Sequence, residues 1–225
     1  MKLINWDRLL DISPRKILKK LGMKFNEKNE PVILSRYDYL EKYIVDQNPI
    51  NMIEIGVWKG DRAEQFIQNV KSLKHYVGFD LFENISKDTF KSESMGKCYP
   101  ASMEIVSERL KKIARMDCKV ELIPGNTKIT LKQFQSQTDE KFDFIFIDGG
   151  HSIQTIENDW KFSEKLISRK GIIILDDYYL NDKSRGARAL IDRLLNNKQY
   201  EVRFFPVIED IIDDLQITMV IIKKN

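Results

Sequence analysis

From Asn51 onward, the chain alternates short apolar runs with amphipathic segments. This alternation is typical of βαβ units, in which helices join parallel strands and cover both faces of one sheet. Several of the runs are almost wholly apolar, as expected for strands that are buried on both sides. We therefore predict an α/β fold, with a Rossmann-like, doubly wound, seven-stranded and mostly parallel sheet. The candidate strands are Asn51–Val57, His75–Leu81, Lys119–Ile123, Phe142–Ile147, Gly171–Leu175, Tyr200–Phe205 and Ile217–Lys223.

Helices between these runs complete the pattern. The last two candidate strands follow each other without a helix, which predicts a long loop over Pro206–Asp214 and an antiparallel last strand. A polar stretch without clear periodicity, Phe82–Ser102, follows the second strand, and connections of this length are usually functional or mobile. We expect it to cover a substrate. The predicted helices are Asp61–Lys71, Met103–Met116, Lys128–Gln135, Ile153–Ser168 and Arg185–Asn196.

Residues 1–50 do not share this alternation, so we predict a helical extension ahead of a domain at residues 51–225. Ser13 as the N-cap and Pro14 as the first helical residue favour a short basic helix over Arg15–Leu21. A second helix is expected around Tyr37–Val45. We expect the extension to be a lid or a subunit contact in a homo-oligomer. A basic helix lying on an acidic partner or a membrane surface is the alternative.

Composition excludes several classes of protein. Of 225 residues, 42% are hydrophobic and 32% charged, which is typical of a soluble globular protein. The net charge of +3 is too small and too mixed in sign to indicate a nucleic-acid partner. The chain has no apolar run long enough for a transmembrane segment and no signal peptide, so we expect a cytoplasmic protein. Cys98 and Cys118 have neither metal spacing nor a disulfide framework, and His75 is expected at the surface.

A glycine turn lies between the first strand and the first helix, in the sequence NMIEIGVWKGDRAEQFI. Gly56 allows a sharp turn and Gly60 opens the helix, in the place where α/β sheets bind nucleotide-like ligands. Trp58 stands where dinucleotide enzymes have a glycine, and its bulk would obstruct a pyrophosphate, which disfavours NAD and FAD. Glu54 on the strand suits a ligand that carries an amine.

The next two strands also end in polar residues. HYVGFD ends the second strand in Asp80, and an acid at that position can accept hydrogen bonds from both hydroxyls of a ribose. PGNT follows the third strand and places Asn126 where it can meet an adenine or another edge of the ligand. Each signal alone is weak, since a single acid at a strand end is often a cap. Their order at successive strand ends points to a nucleotide-like cofactor.

Three carboxylates follow the fourth and fifth strands. KFDFIFIDGGHS ends its apolar run in Asp148, with His151 three residues further, and GIIILDDYY ends in Asp176 and Asp177. Neighbouring parallel strands lie about 4.8 Å apart and end at the same edge, so these side chains are expected to converge. Clustered carboxylates repel unless a cation lies among them, and oxygen ligands suit a hard ion such as Mg²⁺. Caps for Asp176 and Asp177, and a backbone hydrogen bond for His151, are the alternatives.

The E-I-G-x-x-x-G turn, the acid after the second strand and the antiparallel last strand resemble the class I S-adenosylmethionine-dependent methyltransferases. Within that group, IDGGH followed by LDDY resembles the metal-dependent O-methyltransferases of the macrocin and mycinamicin type, which act on sugars of antibiotics. The resemblance covers roughly residues 50–225. It implies an O-methyltransferase that uses S-adenosylmethionine and Mg²⁺, or another hard divalent cation, and methylates a saccharide, a glycan or a glycosylated metabolite.

The resemblance also implies roles for single residues. His151 would be the general base, with Asp148 beside it, and a metal-bound hydroxyl would lose its proton to the imidazole near neutral pH. The basic N-terminal helix favours an anionic acceptor, and a phenolic acceptor is the lower-ranked alternative. The implied metal ligands are Asp148, Asp176 and Asp177, and the implied cofactor-binding residues are Glu54, Gly56, Gly60, Asp80, Asn126 and Asp148.

Two other classes of function stay open at the level of sequence. An NAD(P)-linked oxidoreductase would use a similar sheet, but the missing glycine and Trp58 disfavour it. A catalytically silent methyltransferase-like module is the other, and it gives no chemical reason for keeping Asp148, His151, Asp176 and Asp177 together. Binding of S-adenosylmethionine rather than a dinucleotide separates the first alternative from an O-methyltransferase.

Overall fold

The structure is a computed structural model that describes residues 35–93, 98–211 and 215–225. The basic helix predicted at Arg15–Leu21, with its cap at Ser13 and Pro14, lies outside the described residues. The strands are β1 (Asn51–Ile55), β2 (His75–Asp80), β3 (Lys119–Pro124), β4 (Phe142–Ile147), β5 (Ile167–Tyr179), β6 (Tyr200–Phe204), β7 (Glu209–Asp210) and β8 (Gln216–Lys224). The helices are α1 (Arg36–Gln47), α2 (Asp61–Asn69), α3 (Lys87–Glu93), α4 (Met103–Ile113), α5 (Thr127–Gln137), α6 (Ile153–Leu166) and α7 (Arg188–Leu194).

One mixed sheet organises the described chain, in the order β3-β2-β1-β4-β5-β8-β6. Strands β3, β2, β1, β4 and β5 pair in parallel, and β8 is antiparallel to both β5 and β6. The two-residue strand β7 pairs with β8 at its start. The predicted Rossmann-like sheet with an antiparallel last strand is confirmed. The parallel strands bring the ends that carry the polar motifs to one edge.

Helices cover both faces of the sheet and create two apolar cores. Alternate residues of a strand point to opposite faces, so Met52 of β1 belongs to one core and Ile53 to the other. Helix α1 contributes Leu40 and Ile44 to the first core, and both are fully buried. Among the described helices, none is long and apolar enough to cross a membrane.

Three local predictions are corrected by the structure. Strand β5 does not end at Leu175 but runs on to Tyr179, since its pairing with β8 resumes beyond a bulge. The stretch predicted as irregular at Phe82–Ser102 contains a 3₁₀ turn and helix α3 in its described part. His75 is buried, not exposed; its ring packs near Phe142, and the carboxylate of Glu140 lies 3.0 Å from its Nδ1.

Candidate functional site

A cavity of about 570 Å³ opens at the edge where β1, β2, β3 and β4 end. Its size is within the range of small-molecule and cofactor sites. Three residues named from the sequence, Gly60, Asp176 and Asp177, do not line it. The residues named from the sequence that do line it are Glu54, Gly56, Asp80, Asn126, Asp148 and His151.

Gly56 turns the chain at the floor of this cavity. Its φ of +97° is unfavourable for any residue with a side chain, and a Cβ there would lie 1.9 Å from the carbonyl oxygen of Asp148. The turn is fixed because the Gly56 N–H donates to the Phe79 carbonyl at 2.8 Å. The predicted turn is present, and because Gly56 has no side chain, a ligand can approach the backbone closely there. Gly60, with a φ of +80°, starts α2 and faces Val106 of α4.

Asp80 stabilises two unusual backbone positions at the cavity wall. Its Oδ2 accepts the N–H of Trp58 and its Oδ1 accepts the N–H of Phe82, each at 2.7 Å. Trp58 and Phe82 hold φ values of +56° and +49°, which are costly for bulky residues. Burial raises the pKa of Asp80, and the backbone donors oppose that rise. The carboxylate also lines the cavity, where its oxygens can meet the hydroxyls of a ligand.

Glu54 lies at the bottom of the cavity and is completely buried. Its Oε2 accepts a hydrogen bond from the Tyr76 hydroxyl, and its Oε1 has no partner among the described residues. Burial raises the pKa of Glu54 to about 8. A buried acid with an unpartnered oxygen is suited to bind a ligand ammonium group, which would supply both the missing donor and a compensating charge.

Asn126 has a structural task besides lining the cavity. It is the N-cap of α5, and its Oδ1 accepts the N–H of Lys128 at 2.9 Å. This is the ordinary role of asparagine at a helix start. The predicted contact with an adenine edge would have to use the remaining Nδ2 group.

The three carboxylates lie in one neighbourhood, but α1 supplies groups that bind them. The Tyr37 hydroxyl lies 3.0 Å from Oδ2 of Asp148 and 2.7 Å from Oδ2 of Asp176, so it bridges the two acids. Arg36 forms a bidentate ion pair with Asp176, at 2.8 Å and 3.1 Å, and a second ion pair with Glu209. The burial of Asp148 and the charge of Asp176 raise the pKa of Asp148 well above its ordinary value.

The predicted metal site is therefore occupied by protein groups. Both oxygens of Asp176 are bound by Arg36, and Asp177 is turned toward Tyr179 by the bulge in β5. Within the described ranges, no three side chains of the metal-binding types are arranged to hold an ion. The donor chemistry suits Mg²⁺, but this arrangement does not fit one, because a guanidinium already compensates the charge of Asp176.

His151 lines the cavity and lies beside Asp177. Its Nδ1 is 3.2 Å from the Tyr179 hydroxyl, which in turn donates to Oδ1 of Asp177 at 2.9 Å. Because the hydroxyl hydrogen is used on Asp177, Nδ1 is the protonated nitrogen in this network. Nε2 is left as the basic nitrogen, 3.6 Å from Oδ2 of Asp177. The imidazole is therefore oriented to accept a proton, with a carboxylate nearby to stabilise the charge.

Sequence reasoning missed several residues of this region. Arg36, Tyr37 and Tyr179 carry no motif, and nothing in the sequence shows that α1 reaches the carboxylates. Asp159 was detectable, because it follows Thr155 by four residues in the predicted helix, the spacing of one helix face. It lines the cavity, is only 1% exposed, and its burial raises its pKa to about 6.

The comparisons with known proteins agree with this geometry. A family model described as a methyltransferase domain matches residues 53–178, which is more than half of the chain. The chain belongs to this methyltransferase family. The match contains the glycine turn, Asp80 and all three clustered carboxylates. It also decides against the NAD(P)-linked oxidoreductase that the sheet alone allows.

Solved structures show the same fold for this methyltransferase. An O-methyltransferase from Bacillus cereus in complex with SAH has a TM-score of 0.62 at 16% identity, covering 97% of this chain and 96% of that one. The O-methyltransferase TomG from Streptomyces achromogenes, in complex with SAM, has a TM-score of 0.60 at 12% identity, covering 99% and 100%. An rRNA methylase from Streptococcus thermophilus has a TM-score of 0.59 at 12% identity, covering 86% and 99%. Because these proteins act on different acceptors, the shared fold does not select one.

A relative by sequence is the uncharacterized protein R132 of Acanthamoeba polyphaga mimivirus. It is 24% identical to the methyltransferase over 139 residues, which are 59% of this chain and 53% of the viral protein. The methyltransferase thus aligns with about half of that relative's length.

Proposed function

We propose that the protein transfers a methyl group from S-adenosylmethionine to a hydroxyl oxygen of a small-molecule acceptor. The observation that carries this proposal is one cavity whose lining contains Glu54, Asp80 and His151 together. The bound SAH and SAM in the Bacillus cereus and Streptomyces achromogenes O-methyltransferases, which share the fold, support the choice of cofactor and of oxygen as the methylated atom.

In this proposal, the cofactor lies along the edge of the sheet. Asp80, at the cavity wall, accepts the ribose hydroxyls, and Glu54 binds the ammonium of the methionine portion through Oε1. The Gly56 turn lets the ligand approach the backbone. S-adenosylmethionine brings an activated methyl group on a positively charged sulfur, so the protein has to position and deprotonate the acceptor.

His151 performs the deprotonation. Nε2 takes the proton of the acceptor hydroxyl as the oxygen forms its bond to the methyl carbon and the bond from sulfur to that carbon breaks. Asp177, 3.6 Å from Nε2, stabilises the imidazolium that results. Tyr179 keeps the proton on Nδ1 and so keeps Nε2 available. General-base catalysis of this kind contributes about 10²- to 10⁴-fold in rate.

The acceptor is proposed to be a saccharide, a glycan or a glycosylated metabolite. This part rests on IDGGH and LDDY, which resemble the sugar-modifying O-methyltransferases. A phenolic acceptor is the second candidate.

The binding of Mg²⁺ is a separate proposal, and it requires a rearrangement of the carboxylate cluster. Asp148, Asp176 and Asp177 could hold Mg²⁺ only after the Arg36 guanidinium leaves Asp176. We therefore expect weak Mn²⁺ binding by the wild type and tighter binding by Arg36→Gln, measured by electron paramagnetic resonance. Tight binding by the wild type, together with loss of methyl transfer in EDTA, would establish the metal-dependent reaction that the sequence predicts.

The first test of the cofactor is calorimetric titration of S-adenosylmethionine into the wild type, Asp80→Asn and Asp117→Asn. Asp117 is exposed and far from the cavity, so its variant controls for the change of charge. We expect binding by the wild type and by Asp117→Asn, and weaker binding by Asp80→Asn. Absence of binding by all three would rule out the proposed cofactor.

The second test is methyl transfer from labelled S-adenosylmethionine to panels of glycosides, sugar nucleotides and phenols. We expect transfer to a member of the first two panels and a loss of about 10²-fold or more in His151→Ala. The loss should appear in kcat with S-adenosylmethionine saturating, because His151 acts in the transfer step and not in cofactor binding. Cofactor binding without transfer to any panel would favour the catalytically silent module.

A further inference from the structure

Asp159 is a buried acid in the cavity wall to which neither the methyl transfer nor the carboxylate cluster assigns a task. We infer that Asp159 reads the base of the nucleoside cofactor by accepting a hydrogen bond from its exocyclic amino group. This inference rests on the proposed function, since it names a contact to the same cofactor.

The carboxylate of Asp159 has one oxygen fixed and one oxygen without a partner. Oδ1 accepts the Asn158 side-chain N–H at 3.0 Å, whereas Oδ2 is buried and has no hydrogen-bond partner in the described part of the chain. The side chain of Thr127 is close enough to lower the pKa of Asp159 but does not satisfy Oδ2. Buried polar atoms are normally paired, so an unpaired one in a cavity wall indicates a ligand donor.

Gly149 lies against this buried carboxylate. A Cβ at Gly149 would lie 3.6 Å from Oδ2 of Asp159 and 3.4 Å from Ile55. Because Gly149 has no side chain, only the backbone of this residue lies next to Oδ2. A planar group that lies over Gly149, between the end of β4 and the loop after β3, would present its edge to the carboxylate.

The charge around Asp159 selects the kind of group that can bind. An ionised carboxylate accepts hydrogen bonds and donates none. Glu93 adds a second negative charge to the electrostatics of Asp159, and Lys128 offsets part of it. An anionic ligand group is disfavoured here, while an amino group is favoured. The base of the proposed cofactor, with Asp80 on its ribose, carries such an amino group.

A purely structural role for Asp159 makes a different prediction. Thr127 belongs to α5 and Asp159 to α6, so the acid could simply help these helices to pack. Its replacement would then change stability but not the preference between two bases. The preference is therefore the quantity to measure.

The experiment compares calorimetric binding of S-adenosylhomocysteine with binding of S-inosylhomocysteine, in which a carbonyl replaces the amino group. The wild type should prefer S-adenosylhomocysteine by about tenfold or more, the range expected for one hydrogen bond to a charged group. In Asp159→Asn the preference should fall to about twofold or invert, since an amide can donate to the carbonyl. Asp143→Asn, another acid-to-amide change outside the cavity, should keep the preference of the wild type.

Gly149→Ala provides a second variant in which Asp159 is intact, in case Asp159→Asn does not fold. The added methyl group should screen Oδ2 and reduce the preference for the amino base as well. An unchanged preference in the variants that fold, or equal binding of the two ligands by the wild type, would overturn the role of Asp159 while leaving the cofactor in place. Failure of the wild type to bind either ligand would overturn the proposed function, and this inference with it.

Discussion

Two parts of the site, which we call the cofactor end and the carboxylate end, are built from different parts of the chain. At the cofactor end, Glu54 lies on β1, Gly56 in the turn between β1 and α2, and Asp80 on β2. At the carboxylate end, Asp148 follows β4 and Asp176 lies on β5, and Arg36 and Tyr37 from α1 bind them. The first end is made by neighbouring strands and a local turn. The second needs residues that are far apart in sequence.

This difference affects how charge is compensated. Glu54 is buried with no cation hydrogen-bonded to it in the described part of the chain, and the charge of Arg62 only partly opposes the rise of its pKa. Asp176 is buried with Arg36, so the protein itself supplies the counter-charge. The cofactor end is thus prepared for a ligand cation, whereas the other end is already compensated. A buried acid alone does not reveal which of the two cases applies.

The cofactor end should be the less tolerant of change. In Gly56→Ala, the new Cβ would meet the Asp148 carbonyl at 1.9 Å, and the positive φ adds strain. We expect the free energy of unfolding to fall by about 4 kcal/mol or more, measured by urea denaturation. Gly149→Ala, whose Cβ meets only ordinary contacts, should cost about 1 kcal/mol or less. Equal losses in both variants would contradict a special role for the Gly56 turn.

The compensated end should depend on Arg36. Arg36→Gln leaves Asp176 buried without its counter-charge, and we expect a loss of about 3 kcal/mol in the free energy of unfolding. Adding Asp176→Asn should recover part of the loss, because the unpaired charge is then removed. Arg203→Gln breaks an exposed ion pair and should cost about 0.5 kcal/mol or less. If Arg36→Gln behaved like Arg203→Gln, the carboxylates would not need the guanidinium.

Glu54 should make the stability of the ligand-free protein depend on pH. Its folded pKa of about 8 exceeds the ordinary value of 4.5, so the folded state holds the proton more tightly than the unfolded state. The stabilisation of the folded state by this tighter proton binding is therefore fully present below pH 4.5, and it is lost as the pH rises through 8. Between pH 5 and pH 8, the free energy of unfolding of the wild type should fall by on the order of 2 kcal/mol more than that of Glu54→Gln. Parallel pH profiles would mean that Glu54 is already ionised.

The aromatic cover over the cofactor end should give the smallest effect. Phe90 of α3 stacks on Trp58, with ring centroids 6.1 Å apart, and on Tyr99, at 4.2 Å. Phe90→Leu should lower the free energy of unfolding by about 1 kcal/mol and weaken cofactor binding several-fold. Ile105→Ala, at a largely exposed position on α4, serves as the control and should leave binding unchanged. An unaltered affinity in Phe90→Leu would show that α3 does not cover the cofactor.

Much of the cofactor end could be predicted from sequence. Glu54, Gly56 and Asp80 were assigned because strand periodicity fixes which side chains reach the edge of the sheet. The same logic assigned Asp148 and His151 to the cavity wall, where they lie. It did not detect the cap role of Asn126 or the packing of Gly60 on α4, because both depend on contacts with the following helices.

The carboxylate cluster marks the limit of that logic. The three acids are near one another, as strand order predicts, but the bulge in β5 turns Asp177 toward Tyr179 and His151. Arg36 and Tyr37 arrive from α1, for which the sequence gives no register against the sheet. The prediction of Mg²⁺ followed from the acids alone and took no account of an internal cation.

The sequence by itself determined the α/β sheet, the glycine turn and the strand ends that line the cavity, because these depend on short-range periodicity and turn chemistry. Only the tertiary structure decided what surrounds each acid. Tyr76 binds Glu54, Arg36 pairs with Asp176, and Oδ2 of Asp159 is left without a partner among the described residues. The physical reason is that the charge state and the ligand of a buried carboxylate depend on the groups within a few ångströms of it. In this methyltransferase, those groups come from distant segments of the chain.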